Sequence, residues 1–183
     1  MIAMQYSSNS ITTFFLFFMP IPHTINREAW LQEAVRRLEP IFSKAGYAIP
    51  PVRVSCGFPA SSSPRTTLGQ CWPRERSGDG VNEIFISPKL DEPVQLLDTL
   101  VHELCHAVDD CFSGHGEDFK GIAQALGLEG PARMAHASEA LVVRLMMIGQ
   151  ELGPYPHQAI AFPPPQPVMP VAIKPSAGNA VTR

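Results

Sequence analysis

His-Glu-Leu-Cys-His, residues 102–106, lies inside a run whose apolar residues recur at helical spacing: Leu97, Leu100, Val101, Leu104 and Val108. Residues four apart on a helix are separated by about 400° of rotation, so both imidazoles leave the same face, one turn apart. That arrangement suits two nitrogen ligands on one metal ion. The segment is therefore read as a helix with one stripe buried and a polar site on another face. Glu103 falls on the adjoining side of the same turn. It is better placed to reach a water at the metal than the metal itself, which is the position of a general base.

A catalytic zinc takes three protein ligands and leaves a fourth position for water. His115 is the expected third ligand. It follows His106 past "AVDDCFSG", where Ser113, Gly114 and Gly116 let the chain end the helix and turn back. Glu139, further along, is the rival third ligand. The pattern with glycine three after the second histidine and a further histidine three later is absent, because Asp109 and Phe112 hold those places. Asp98 and Asp109 lie one turn from His102 and His106, and either could orient an imidazole from behind. Their other reading is solvated helix charge. Tyr155 and His157, in "PYPH", are candidates to stabilise an oxyanion; the rival reading is a turn that packs the tail. One three-histidine set implies one zinc per chain.

The rest of the chain frames this site. "NREAWLQEAVRRLEPIFSKAGY" reads as a first helix capped by Asn26, with Pro40 expected to kink or shorten it and Gly46 to stop it. "VRVSCGF", "LGQCW" and "NEIFISP" read as strands whose short connections suit a small antiparallel sheet. Asp91 is expected to cap the site helix, which should run from about Pro93 to Asp110. "GEDFKGIAQALGL" and "PARMAHASEALVVRLMMIGQEL" are two further helices. The second is expected to start at Pro131 and to bury Met134, Leu141, Leu145 and Ile148. The fold class is α+β: a small sheet packed with helices.

The domain is expected over residues 23–152. Residues 1–22 hold the apolar run "ITTFFLFFMPI", which is too short for a bilayer span of about 20 residues. No stable membrane insertion is expected from it, and Met4 and Met19 offer later starts. Residues 153–183 carry 8 of the 19 prolines and two charges, so that stretch reads as a largely disordered tail. Net charge is −3, with no basic bias of a dedicated nucleic-acid binder; Arg65, Arg74 and Arg76 form the one small basic group. Cys56, Cys71, Cys105 and Cys111 form no C-x-x-C pair, and read as reduced thiols of a cytoplasmic protein.

"TLVHELCHAVDDCFSGHGEDFKGIAQALGL" resembles the active-site segment of SprT-like zinc metallopeptidases, most closely the small bacterial and phage members. The resemblance extends through "VRVSCGFP", "LGQCW" and "EIFISPKL" upstream and "GLEGPARMAHA" to "LGPYPHQAI" downstream, from about Trp30 to Ile160. The family pattern falls on His102, Glu103, His106 and His115-Gly116-Glu117-Asp118-Phe119. It implies a zincin-like domain and a peptidase, and a eukaryotic relative acts on proteins crosslinked to DNA. Many members continue into a zinc ribbon with cysteine pairs, and this sequence stops about where one would begin. The expected function is a zinc-dependent endopeptidase using Glu103 on a zinc-bound water, with protein or peptide substrates, DNA-associated ones among them. DNA itself is expected to bind weakly. The strand "NEIFIS" is expected to present an edge to the substrate. The alternative is a non-proteolytic, zinc-stabilised adaptor that binds protein or DNA. Oligomeric state has no signature in the sequence.

Overall fold

The computed structural model describes residues 26–60 and 66–161. The apolar segment 1–22, Arg65 and residues 162–183 of the Pro-rich tail lie outside the described residues.

The first helix, α1, spans Arg27–Lys44, and the Asn26 side chain caps it by accepting from Ala29 N at 2.8 Å. It buries Trp30, Leu31, Ala34, Leu38 and Phe42. Pro40 does not shorten it. Pro40 and the residue one turn before it, Arg36, are both exposed, so water can take the carbonyl that proline leaves without a donor.

Three strands form a sheet in the order β1 (Val52–Cys56), β3 (Asn82–Ile86), β2 (Gly69–Trp72). It is mixed, not antiparallel as the short connections suggested. β1 runs parallel to β3, with Val52 opposite Asn82, and β2 runs antiparallel to it, with Gly69 opposite Ile86. The chain steps one strand width past the middle before making β2, then returns between its predecessors. Two reversals make the middle strand parallel to the first. β3 is therefore central and offers no edge; the edge strand reached through the same connection is β2. Along β3, Asn82, Ile84 and Ile86 are buried and Glu83 and Phe85 are half-buried, the alternation of a strand covered on one face.

Helix α2, Pro93–Val108, packs against β2, β3 and the last helix of the domain, and buries Leu96, Leu97, Leu100 and Leu104 fully. Truncating one of these leucines to alanine is expected to cost about 2–5 kcal/mol, which measures how firmly the core fixes the helix that carries the histidines. Its cap is Glu92, which accepts from Gln95 N, and not Asp91, whose carboxylate instead accepts from Ala159 N. Helix α3, Glu117–Leu126, ends at Gly127 in the left-handed region (φ 93°).

A two-stranded ladder follows, β4 (Leu128–Glu129) against β5 (His136–Ala137), with a 3₁₀ turn at Ala132–Met134 between them. Helix α4 starts only at Glu139, capped by Ser138, and ends at Leu152. Pro131 thus opens the short turn and not the helix. Met134 is 70 % exposed and no part of the core, while Leu141 and Leu145 are buried as expected. Past α4 the chain stays on the domain: Trp30 Nε1 donates to Gly153 O, Tyr155 packs on Trp30, and Ile160 N donates to Pro88 O. Among the described residues no helix is long and apolar enough to cross a membrane.

Candidate metal centre

α2 presents His102 and His106 one turn apart, as the spacing requires. His102 Nδ1 lies 3.2 Å from Ala135 O. A carbonyl cannot donate, so Nδ1 holds the proton and Nε2 keeps a free lone pair. His115 Nε2 lies 3.4 Å from His102 Nε2 and 3.3 Å from His106 Nε2, and one donor atom from each ring falls within 4.8 Å of the others. Three nitrogens each about 2.05 Å from a tetrahedral ion sit about 3.3 Å apart, so both the donor set and its spacing are compatible with zinc.

Phe119 is what holds the three rings together. It is fully buried, stacks on His106 with centroids 4.3 Å apart, and meets His102 at 5.0 Å and His115 at 5.1 Å. Burial against it disfavours the charged imidazolium. It lowers the pKa of His106 to about 3, with His102 and His115 adding to the shift, and it lowers those of His102 and His115 too. Neutral imidazole is the form that ligates a metal.

The loop that returns His115 turns differently from expectation. Asp110 (φ 54°) and Cys111 (φ 61°) are both left-handed, as is Gly114 (φ 53°). Each non-glycine residue there costs about 1 kcal/mol or more. Long-range partners hold them in place: the Asp110 carboxylate accepts from Arg74 N and Nε, both at 2.9 Å, and from Asn82 Nδ2 at 2.8 Å. Cys111 N donates to His106 O at 2.7 Å, and Phe119 N to Ser113 Oγ at 3.1 Å. Gly116 starts α3 and must be small, because a Cβ there would lie 2.9 Å from Ser113 O.

Glu103 stands outside the cluster of ligand atoms. It is 6 % exposed and pressed against β2, where a Cβ added at Gly69 would meet its Oε1 at 2.5 Å. Leu68 O accepts from Ser87 N, so alternation turns the backbone groups of Gly69 and Cys71 away from β3, and the Cys71 N–H faces Glu103. Burial raises the Glu103 carboxyl to about 8, while the Cys71 N–H facing it acts in the opposite direction. Cys71 also lies against Cys111, which together with burial pushes its thiol well up; all four cysteines are free.

The remaining expected site residues fall elsewhere. Asp98 accepts from Ala137 N at 2.7 Å, and so anchors β5 to α2 instead of touching an imidazole; Ala135 O orients His102. Asp109 accepts from Ser113 N at 3.2 Å and ties the loop, with its Oδ1 buried and unpartnered. Tyr155 and His157 contact Trp30, Arg27 and Pro88 O, and with Arg27 they line a recess of about 510 Å³ that contains no member of the histidine cluster. Glu139 is exposed at the start of α4 and does not join the histidines. Gly69, Cys71 and Ala135 are the site residues that sequence reasoning missed. The one signal available was a glycine inside a strand pattern, which marks close approach of another group.

A family model, that of the SprT-like family, matches residues 33–137, which include all of β1 to β5 together with α2 and α3. The chain belongs to the SprT-like family. Comparison with curated proteins and with solved structures returns no significant match.

Proposed function

We propose that this SprT-like protein is a zinc-dependent endopeptidase with a zincin-like active-site helix. One observation carries the reading. On a single turn of α2, two histidines join His115 in a ring-nitrogen cluster, while the glutamate between them is turned aside, buried, onto an edge strand. A purely structural zinc fills four protein positions, often with Cys. Among the described residues no fourth His, Cys, Asp or Glu joins the three histidines.

When bound, zinc supplies Lewis acidity, lowering the pKa of a water and polarising a peptide carbonyl. The protein supplies the proton transfers and the positioning. Glu103 takes a proton from the attacking water and delivers it to the leaving amine nitrogen. Burial alone opposes its ionisation, and the positive charge of a bound ion would favour the carboxylate that accepts the proton. The outer edge of β2 runs past Glu103, and an extended peptide adding there as a further strand brings its backbone to the site. The free thiols suit a reducing compartment, and we place the protein in the cytoplasm.

Cleavage of a fluorogenic peptide or casein, abolished by a chelator and restored by zinc, tests the reading. The same preparation should carry one zinc per chain. His115→Ala is expected to be zinc-poor and inactive, and Glu139→Ala to behave as the parent. A protein that binds zinc but cleaves nothing would instead be the zinc-stabilised adaptor.

DNA is a weak partner in this reading. Arg74 is engaged by Asp110, Arg76 lies beside Glu75, and net charge is −3. Little retention on single-stranded DNA is expected at physiological salt. A nanomolar dissociation constant at about 150 mM salt would overturn this and point to DNA-bound substrates.

A further inference from the structure

The loop between β4 and β5 forms a wall of the site. Its base is closed by the ladder, with Leu128 opposite Ala137 and Glu129 opposite His136. Two contacts dock it on α2 at successive turns: Ala137 N donates to Asp98 Oδ1 at 2.7 Å, and Ala135 O accepts from His102 Nδ1 at 3.2 Å. Its 3₁₀ turn, Ala132–Met134, also packs against α3, whose Phe119 backs the histidines. The loop is thus pinned from three directions, and what projects from its tip is set in place.

The tip carries Arg133 and Met134, both exposed. Arg133 lies two residues before Ala135, whose carbonyl accepts from His102, and its charge acts on the His115 ring. Among the described residues it makes no ion pair or side-chain hydrogen bond, as is also true of Arg144, whereas Arg36, Arg37, Arg53, Arg74 and Arg76 are all paired with carboxylates. Met134 beside Arg133 adds exposed apolar surface to the same tip. A guanidinium left free at a site where peptide would lie is matched to a carboxylate.

We infer that Arg133 is a specificity-determining residue that selects peptide substrates with an acidic side chain close to the scissile bond. The inference rests on the peptidase reading and names the substrate class for it. The charge pair is partly exposed, so the preference should weaken as salt rises.

End-capped peptides that differ only by Glu, Gln or Lys at each of several positions around one cleavable bond provide the test. At one position the Glu peptide should exceed the Gln peptide in kcat/KM by about tenfold, a difference of about 1.4 kcal/mol. Arg133→Gln should bring that ratio to about one, and Arg133→Glu should invert it in favour of the Lys peptide. An unchanged ratio in Arg133→Gln, or an equal slowing of all peptides, would overturn the assignment. Binding of the same peptides, fluorescently labelled, to the Glu103→Gln protein by anisotropy gives a readout without turnover. There the Glu-over-Gln difference in Kd should disappear when Arg133→Gln is added. If the parent cleaves no peptide yet this binding difference is present, the peptidase reading fails and the carboxylate site stands. Equal binding of Glu and Gln peptides removes the site.

Discussion

Glu103→Gln is expected to leave zinc content and fold nearly intact while peptide cleavage falls by about 10²–10⁴-fold, the usual worth of a positioned general base. Glutamine keeps the shape and one oxygen acceptor, so the Cys71 N–H that faces the carboxylate keeps a partner. It cannot take a proton at neutral pH. The substitution also removes a carboxyl whose burial opposes its ionisation, so no loss of thermal midpoint is expected from the charge. His102→Ala should behave differently. It deletes one of three converging donors and the contact to Ala135 O, and metal and stability should fall together, since metal binding is coupled to folding. Bound zinc, thermal midpoint and peptidase rate measured side by side on both variants separate these outcomes. An active Glu103→Gln protein would remove the hydrolytic mechanism. A Glu103→Gln protein without zinc would make Glu103 part of the metal's support.

The part of the site that was legible in sequence is the part set by local periodicity. Two histidines four apart within an apolar stripe have one common face whatever the rest of the fold does, and α2 delivers it. The return of His115 was legible only in outcome. Glycine and serine were expected to make the turn, but two non-glycine residues adopt left-handed geometry, stabilised by Asp110 contacts with Arg74 and Asn82 that lie far off in sequence. Sheet order was not legible, because nothing in "VRVSCGF" or "LGQCW" tells whether the chain moves over by one strand width or two. Met134 was misread because Pro131 is as compatible with a 3₁₀ turn as with a helix start. The helix is capped instead by Ser138, seven residues further on. Residue chemistry left Tyr155 and His157 open between an oxyanion role and a turn that packs the tail, and the packing of Tyr155 on Trp30 favours the turn.

In the proposed peptidase reading, Gly69 would set the reactivity of the base. Its backbone needs no left-handed geometry, so alanine is compatible with the chain conformation. The obstacle is Glu103: a Cβ at Gly69 would lie 2.5 Å from its Oε1, 2.7 Å from Cγ and 2.9 Å from Cδ. Those atoms belong to a side chain that can rotate, so Gly69→Ala should displace the carboxylate and not the strand. Zinc content should be retained and the thermal midpoint should change little. A carboxylate moved by about 1 Å loses its line to the attacking water, and a misplacement of that size costs about 10²-fold in rate. The loss is expected in kcat more than in KM. The double variant decides the cause. In a Glu103→Gln background no base is left to misplace, so adding Gly69→Ala should slow the residual rate little, and the two effects should be strongly non-additive. Full additivity would mean that the added methyl acts on substrate binding along β2. A Gly69→Ala enzyme with the parent's rate would show that Glu103 works from a position other than the one pressed against this strand.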